Sequence, residues 1–197
     1  MSAKENPTSD YKRSERQEML AAPPLDLSFK KATTMNELMN KRGQIIRTGK
    51  SVKIVKDRYM TSTLWLSNNL LRSMDGLWRL AEKFLDHPAS LSWLDLSFNQ
   101  ISQIGEDIER FANLKILYLH GNKISIIADT LRLRNLHNLR SLTLHGNPIE
   151  DTPCYRGYIV HLLPQLLVLD FSPVIAAEKK QVLPVGFSKM TQPDIRI

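Results

Sequence analysis

The sequence predicts an α/β solenoid, a short horseshoe with a parallel β-sheet on its concave face and helical or 3₁₀ connections on its convex side. Three observations predict it: a leucine pattern with fixed internal spacing, an asparagine at the same position of each copy, and a separation of 23–30 residues between successive asparagines.

Residues 91–101, Leu91-Ser-Trp-Leu94-Asp-Leu96-Ser-Phe-Asn99-Gln-Ile101, fill every fixed position of L-x-x-L-x-L-x-x-N-x-L. Residues 114–124 and 139–149 do the same, with Leu117, Leu119 and Asn122, then Leu142, Leu144 and Asn147. An earlier copy around Leu64, Leu66 and Asn69 lacks only its first leucine. A later one, Leu166-Leu-Val-Leu169-Asp-Phe171, follows the template as far as Phe171 and then stops. This is the leucine-rich-repeat template, and degenerate end copies suit repeats that must face solvent.

Alternation along a strand sends Leu94 and Leu96 to one side, so stacked copies build a shared core that no copy can bury alone. Asn69, Asn99, Asn122 and Asn147 stand where the chain turns inward after each strand. Their amides are expected to pair backbone groups that the turn leaves unmatched, a structural role.

The remaining elements follow in order. Residues 1–22 read as a disordered basic leader, and 23–60 as an extended flank without repeat signal, laying Leu25, Leu27 and Phe29 over the first repeat. The repeat domain spans 61–175. Its first connection is long, and apolar residues at 77, 80, 81, 84 and 85 predict a helix there, with Asp75 near its start and Pro88 after its end. The connections at 104–111 and 131–136 are shorter, helical or 3₁₀. Phe98, at a strand-end turn, is expected to point inward. A cap occupies about 150–175: residues 155, 158, 159, 162 and 163 have helical spacing, and Pro164 ends that helix before the last strand. Residues 176–197 form a C-terminal tail.

The formal charge of +7 is uneven. Residues 1–60 hold 13 Lys/Arg against 7 Asp/Glu, and residues 61–197 hold 14 against 13. The basicity belongs to the leader, where it suits an acidic protein surface, nucleic acid or anionic lipid equally. A single cysteine, Cys154, excludes an internal disulfide and a cysteine-rich zinc site. With no apolar segment behind the first residues and no membrane-length apolar run, the expectation is a soluble intracellular protein.

The cap resembles that of intracellular leucine-rich-repeat proteins such as the spliceosomal A-prime protein, through Tyr155, Arg156, Tyr158, Leu166, Leu169 and Asp170. A closer likeness runs from about Pro23 to Ala176. It rests on Pro23-Pro24-Leu25-Asp26, the residues at 48–51, Leu64-Trp65-Leu66-Ser-Asn-Asn69, the Asp95-Leu-Ser-Phe-Asn99 turn, Leu117-Tyr-Leu-His-Gly-Asn122 and Arg140-Ser-Leu-Thr-Leu-His-Gly-Asn147. In these the chain resembles the leucine-rich repeat-containing protein 51 family. The resemblance implies a cytoplasmic, non-enzymatic protein of ciliated or flagellated cells, part of an axonemal assembly.

Residues between the core leucines face the concave surface, and this is the expected partner site: Trp65, Trp93, Asp95, Tyr118, His120, Thr143 and His145. Large aromatics on such a face are the types that dominate interface energies. They are either free for a partner, covered by the leader or tail, or covering one another. His120 and His145 fall at equivalent positions of successive strands, about 5 Å apart, but two histidines without a third ligand make no zinc site, so no metal or cofactor is expected. Catalytic readings fail on spacing. The stretch from Gly43 to Ser51 imitates a phosphate-binding loop, yet five residues separate its glycines where the motif needs four. Cys154 has histidines nearby in sequence but no evident oxyanion arrangement. The expected partner is therefore a protein, plausible classes being an axonemal or microtubule-associated one; a ribonucleoprotein component or a phosphatase regulator is the alternative, and a nucleic-acid groove is not evident in the repeats.

Overall fold

The structure, a computed structural model, describes residues 14, 17–45 and 52–180. The imitation phosphate loop from residue 46 onward, the extreme N-terminus and the tail beyond residue 180 lie outside the described residues.

The described residues hold ten short strands: β1 (Leu25–Asp26), β2 (Gln44–Ile45), β3 (Ile54–Val55), β4 (Arg58–Tyr59), β5 (Thr63–Trp65), β6 (Trp93–Asp95), β7 (Ile116–Tyr118), β8 (Ser141–Thr143), β9 (Val168–Leu169) and β10 (Ser172–Pro173). Eight of them form one sheet in the order β10-β9-β8-β7-β6-β5-β1-β2, and β3-β4 is a separate hairpin. Pairing from β1 through β5 to β9 is parallel, and β2 and β10 close the two ends antiparallel. The register places Leu25, Leu64, Leu94, Leu117, Leu142 and Leu169 opposite one another in succession. All six are fully buried, as are Leu27, Leu66, Leu96, Leu119 and Leu144 two residues further on. This is the spine that the leucine spacing predicts.

The pairing of β1 corrects the expectation of a flank without repeat character. Leu25-Asp26-Leu27-Ser28-Phe29 is the same pentapeptide as Leu94-Asp95-Leu96-Ser97-Phe98, and it acts as one more repeat strand rather than a repeat-free flank. Leu27 N–H donates to Trp65 O and Phe29 N–H to Ser67 O, while Asp26 and Asp95 each accept from the backbone N–H two residues later. Lys30 stands where the asparagine of a full copy would be. The leader then turns into α1 (Met35–Met39), capped by Thr34 and burying Met35 and Leu38. Thr34 and Glu37 have the spacing of a helix start, a signal the leader does carry. Residues 17–21, which the sequence assigns to a disordered leader, are helical; Met19 is buried there and its carbonyl accepts from Ser62 Oγ.

On the convex side α2 (Leu77–Phe84) buries Leu77, Leu80 and Ala81, and 3₁₀ turns cover the next two repeats at Glu106–Arg110 and Ile127–Leu133. The cap consists of α3 (Tyr155–Leu162) and α4 (Ala176–Lys179). Arg156 Nε donates to Glu178 Oε1 at 2.6 Å and Nη2 to Pro173 O at 2.8 Å, while Lys179 Nζ donates to the carbonyls of Pro164 and Leu166. The start of the tail thus helps to seal the last repeat.

The four asparagines hold neighbouring repeats together. Asn122 Nδ2 donates to Leu119 O of its own turn at 2.9 Å and to Leu96 O of the preceding repeat at 3.0 Å, and its Oδ1 accepts from Ile101 N at 3.0 Å. Asn99 and Asn147 repeat this set one repeat earlier and later. Asn69 does so against the leader, donating to Leu27 O and accepting from Lys30 N and Ala32 N. Replacing Asn122 by Ala leaves the buried Ile101 amide without a partner and removes one of the two donors at the carbonyls of Leu96 and Leu119, which keep Asn99 and Asn147 respectively. Urea unfolding of Asn122→Ala is expected to show a loss of about 1–3 kcal/mol; a midpoint equal to that of the parent chain would remove this role.

A candidate protein-binding face

The register arranges the concave side chains in two rows. One runs Asp26, Trp65, Asp95, Tyr118, Thr143, and the other Thr63, Trp93, Ile116, Ser141, Val168. The large rings therefore zigzag between the rows. Trp65 and Trp93 meet edge to face with centroids 5.6 Å apart, and Trp93 and Tyr118 do the same at 5.8 Å. Such geometry aligns the positive rim of one ring with the negative face of the next. The rings cover one another in part and remain partly exposed.

The train continues past Tyr118. His120 and His145 stack in parallel with centroids 4.7 Å apart, and the Nδ1 of His120 lies 2.8 Å from Thr143 Oγ1. Thr143, expected among the partner-binding residues, is fully buried and engaged by Leu119 N and His120. Its side chain supports the neighbouring histidine instead of facing a partner.

Phe98 departs from expectation, and Phe171 departs from the side its template position implies. Phe98, expected in the core, is 55% exposed, because the third residue after the strand adopts a left-handed conformation that turns its side chain outward. The same position is Asn68, Gly121 and Gly146 in the other full repeats, all at positive φ. Phe98 lies edge-on to His120, and a Cβ on Gly121 would come within 2.7 Å of its ring. Phe171 holds the template position of an inward leucine but is 58% exposed. It and Asp170, at φ 60 and 51, form the two-residue turn joining β9 to β10. Both central residues at positive φ is the geometry that favours Asn-Gly or Asp-Gly, and a phenylalanine there costs about 1–2 kcal/mol. The turn lays the Phe171 ring against Tyr118, His120 and His145 at 5.5, 5.7 and 5.5 Å.

Asp170 anchors that turn. Its Oδ1 accepts from Leu144 N and His145 N, taking the place of the strand carbonyl that would follow, and its Oδ2 accepts from the Tyr155 hydroxyl at 2.9 Å. Burial, reinforced by the Asp170 charge, pushes the Tyr155 hydroxyl far above its ordinary range, so it stays a donor. Tyr158 is buried beside it in α3. Among the described residues no group of three His, Cys, Asp or Glu side chains is placed to hold a metal ion, and no helix is long and apolar enough to cross a membrane.

Burial holds the His120 imidazole below its ordinary value of 6.5, and His145 adds to this against the opposing pull of Asp95 and Asp170. The folded state therefore favours neutral His120, and the unfolded chain takes up the proton first as pH falls. Stability from this group is present above about pH 6.5 and is lost as pH drops toward the folded value. Thermal unfolding between about pH 7.5 and 5.5 is expected to shift downward with acid, and His120→Gln should flatten that slope. Equal slopes in the two proteins would show that the group does not contribute.

Comparison with known proteins agrees with this geometry. A family model described as leucine-rich repeat matches residues 25–192. Leucine-rich repeat-containing protein 51 of Rattus norvegicus is 41% identical over 172 residues, and that of Homo sapiens 40% identical over 172, each alignment spanning 86% of both chains. Among solved structures, a chain of the Drosophila melanogaster SNF/U2A' complex superposes with a TM-score of 0.53 at 30% identity, over 68% of this chain and 75% of that one. The chain belongs to the leucine-rich-repeat family, whose members serve as protein-interaction modules, and within it to the leucine-rich repeat-containing protein 51 family.

Proposed function

We propose that the chain is a non-enzymatic adaptor or structural component that grips a protein partner with its concave face, in a ciliary or flagellar axonemal assembly. The observation that supports the first part is the continuous train of rings from Trp65 to His145, with Phe98 and Phe171 at its rim. Partly exposed aromatics on a rigid sheet present apolar area at little entropic cost, which is the makeup of an interface hot spot. The axonemal setting rests on the family resemblance in the leader and repeats.

A second reading is a ribonucleoprotein component. It is favoured by the superposition on a chain of the SNF/U2A' complex. The fully acidic or neutral strand positions of the concave face disfavour direct nucleic-acid contact.

The test is proximity labelling with the tagged full chain in cells that build cilia, followed by measured binding of the labelled protein to the parent chain and to Trp93→Ala. Truncating a hot-spot ring is expected to weaken binding by about 2 kcal/mol, roughly thirtyfold. Unchanged affinity with intact folding discards the concave face. Absence of the tagged protein from cilia discards the axonemal setting, and co-isolation with small nuclear ribonucleoproteins would replace it.

A further inference from the structure

The concave row alternates charge and ring: Asp26 opposes Trp65, Trp65 opposes Asp95, and Asp95 opposes Tyr118. Asp95 is thus bracketed by two aromatic side chains on adjacent strands, with Trp93 two residues before it on its own strand. One carboxylate oxygen, Oδ1, is engaged by Ser97 N and Oγ. Among the described residues neither Asp26 nor Asp95 forms an ion pair with a Lys, Arg or His. The outward strand positions from β5 to β9 contain no Lys or Arg at all. This part of a chain of net charge +7 is therefore locally acidic.

The indoles supply the second observation. The Nε1 atoms of Trp65 and Trp93 are buried and have no hydrogen-bond partner. What these side chains offer to solvent is ring surface rather than a donor. A π surface beside an uncompensated carboxylate attracts a cation twice, by the ring quadrupole and by the charge. The adjoining row adds Ile116 beside Trp93 for the alkyl stem of a long basic side chain. The same molecule already contains the cation-on-ring half of this arrangement: on its convex side the Arg110 guanidinium lies 4.1 Å from the centre of the Trp78 ring.

Building on the concave-face reading, we propose that the Trp65, Asp95 and Tyr118 row, flanked by Trp93, is a seat for a basic side chain, and that the partner presents a protein segment bearing arginine or lysine there. The stem lies on the rings and the charged head meets Asp95. A nucleic acid or an acidic segment would bring like charge to Asp26 and Asp95 and is rejected by the same groups.

The test uses the full chain with ¹⁵N-labelled tryptophan and an acetylated, amidated hexa-arginine peptide as probe. The indole signals of Trp65 and Trp93 are expected to shift in a saturable way, while that of Trp78, already covered by Arg110, stays in place. Asp95→Asn preserves the acceptor for Ser97 and should weaken the probe by about fivefold, with the effect fading as salt is raised. Hexa-arginine without effect on the two indoles, equal affinity for Asp95→Asn, or tighter binding of hexaglutamate or oligouridine at the same signals would overturn the proposal. So would a shift of both indoles on removing residues 1–13, since the occupant would then be the chain's own leader. Should hexa-arginine fail while Trp93→Ala still releases a labelled partner, the concave face remains a binding surface and only its choice of a cation is lost.

Discussion

Everything in this molecule depends on an asparagine amide that belongs to two repeats at once. A strand of three residues contributes too few hydrogen bonds to hold its place, and the chain must turn inward immediately after it. The carbonyls left at that turn point into the core, where water does not reach them. One amide donating to its own turn and to the preceding one resolves both problems, and the leucine register then follows from the spacing of the amides. The helical and 3₁₀ connections can vary in length because they are not part of this linkage, which explains how α2 is accommodated in the first connection without disturbing the sheet.

The parts of the fold governed by side-chain period were legible in the sequence. Leucines two residues apart identified the strands, and the helical spacing at residues 77–85 and 155–163 identified α2 and α3. The parts governed by backbone conformation were not. Phe98 and Phe171 are apolar, and periodicity sends apolar residues inward, but a positive φ at each reverses the direction of the side chain. The repeated Leu-Asp-Leu-Ser-Phe of the leader departs from the template at both ends, with Ala22 at the position of the first leucine and Lys30 at that of the asparagine. Thr143 was placed on the correct face, but its small side chain lies beneath His120, a matter of neighbour size that no spacing encodes.

The division of labour between the two faces has a functional meaning. Core leucines and asparagines fix the shape, and the partly exposed residues between them, such as Trp65, Trp93 and Tyr118, take no part in the leucine spine or the asparagine ladder. In this chain those positions carry rings, carboxylates and two stacked imidazoles rather than an array of lysines. The turn at Asp170 and Phe171 ties the two functions together. The carboxylate at the last turn of the sheet also fixes the ring that closes one end of the aromatic train, so the boundary of the proposed binding face is set by the same residue pair that joins β9 to β10.

Both ends of the sheet are finished with an antiparallel strand of two residues, and at one end the terminal residue is Pro173, which has no N–H to offer. A row of parallel strands left bare would invite another chain to add its own strand and grow a filament from either end. Short reversed borders deny that template. Such borders disfavour growth along the solenoid axis, whereas contact at the broad side of the sheet is made by side chains and can therefore discriminate.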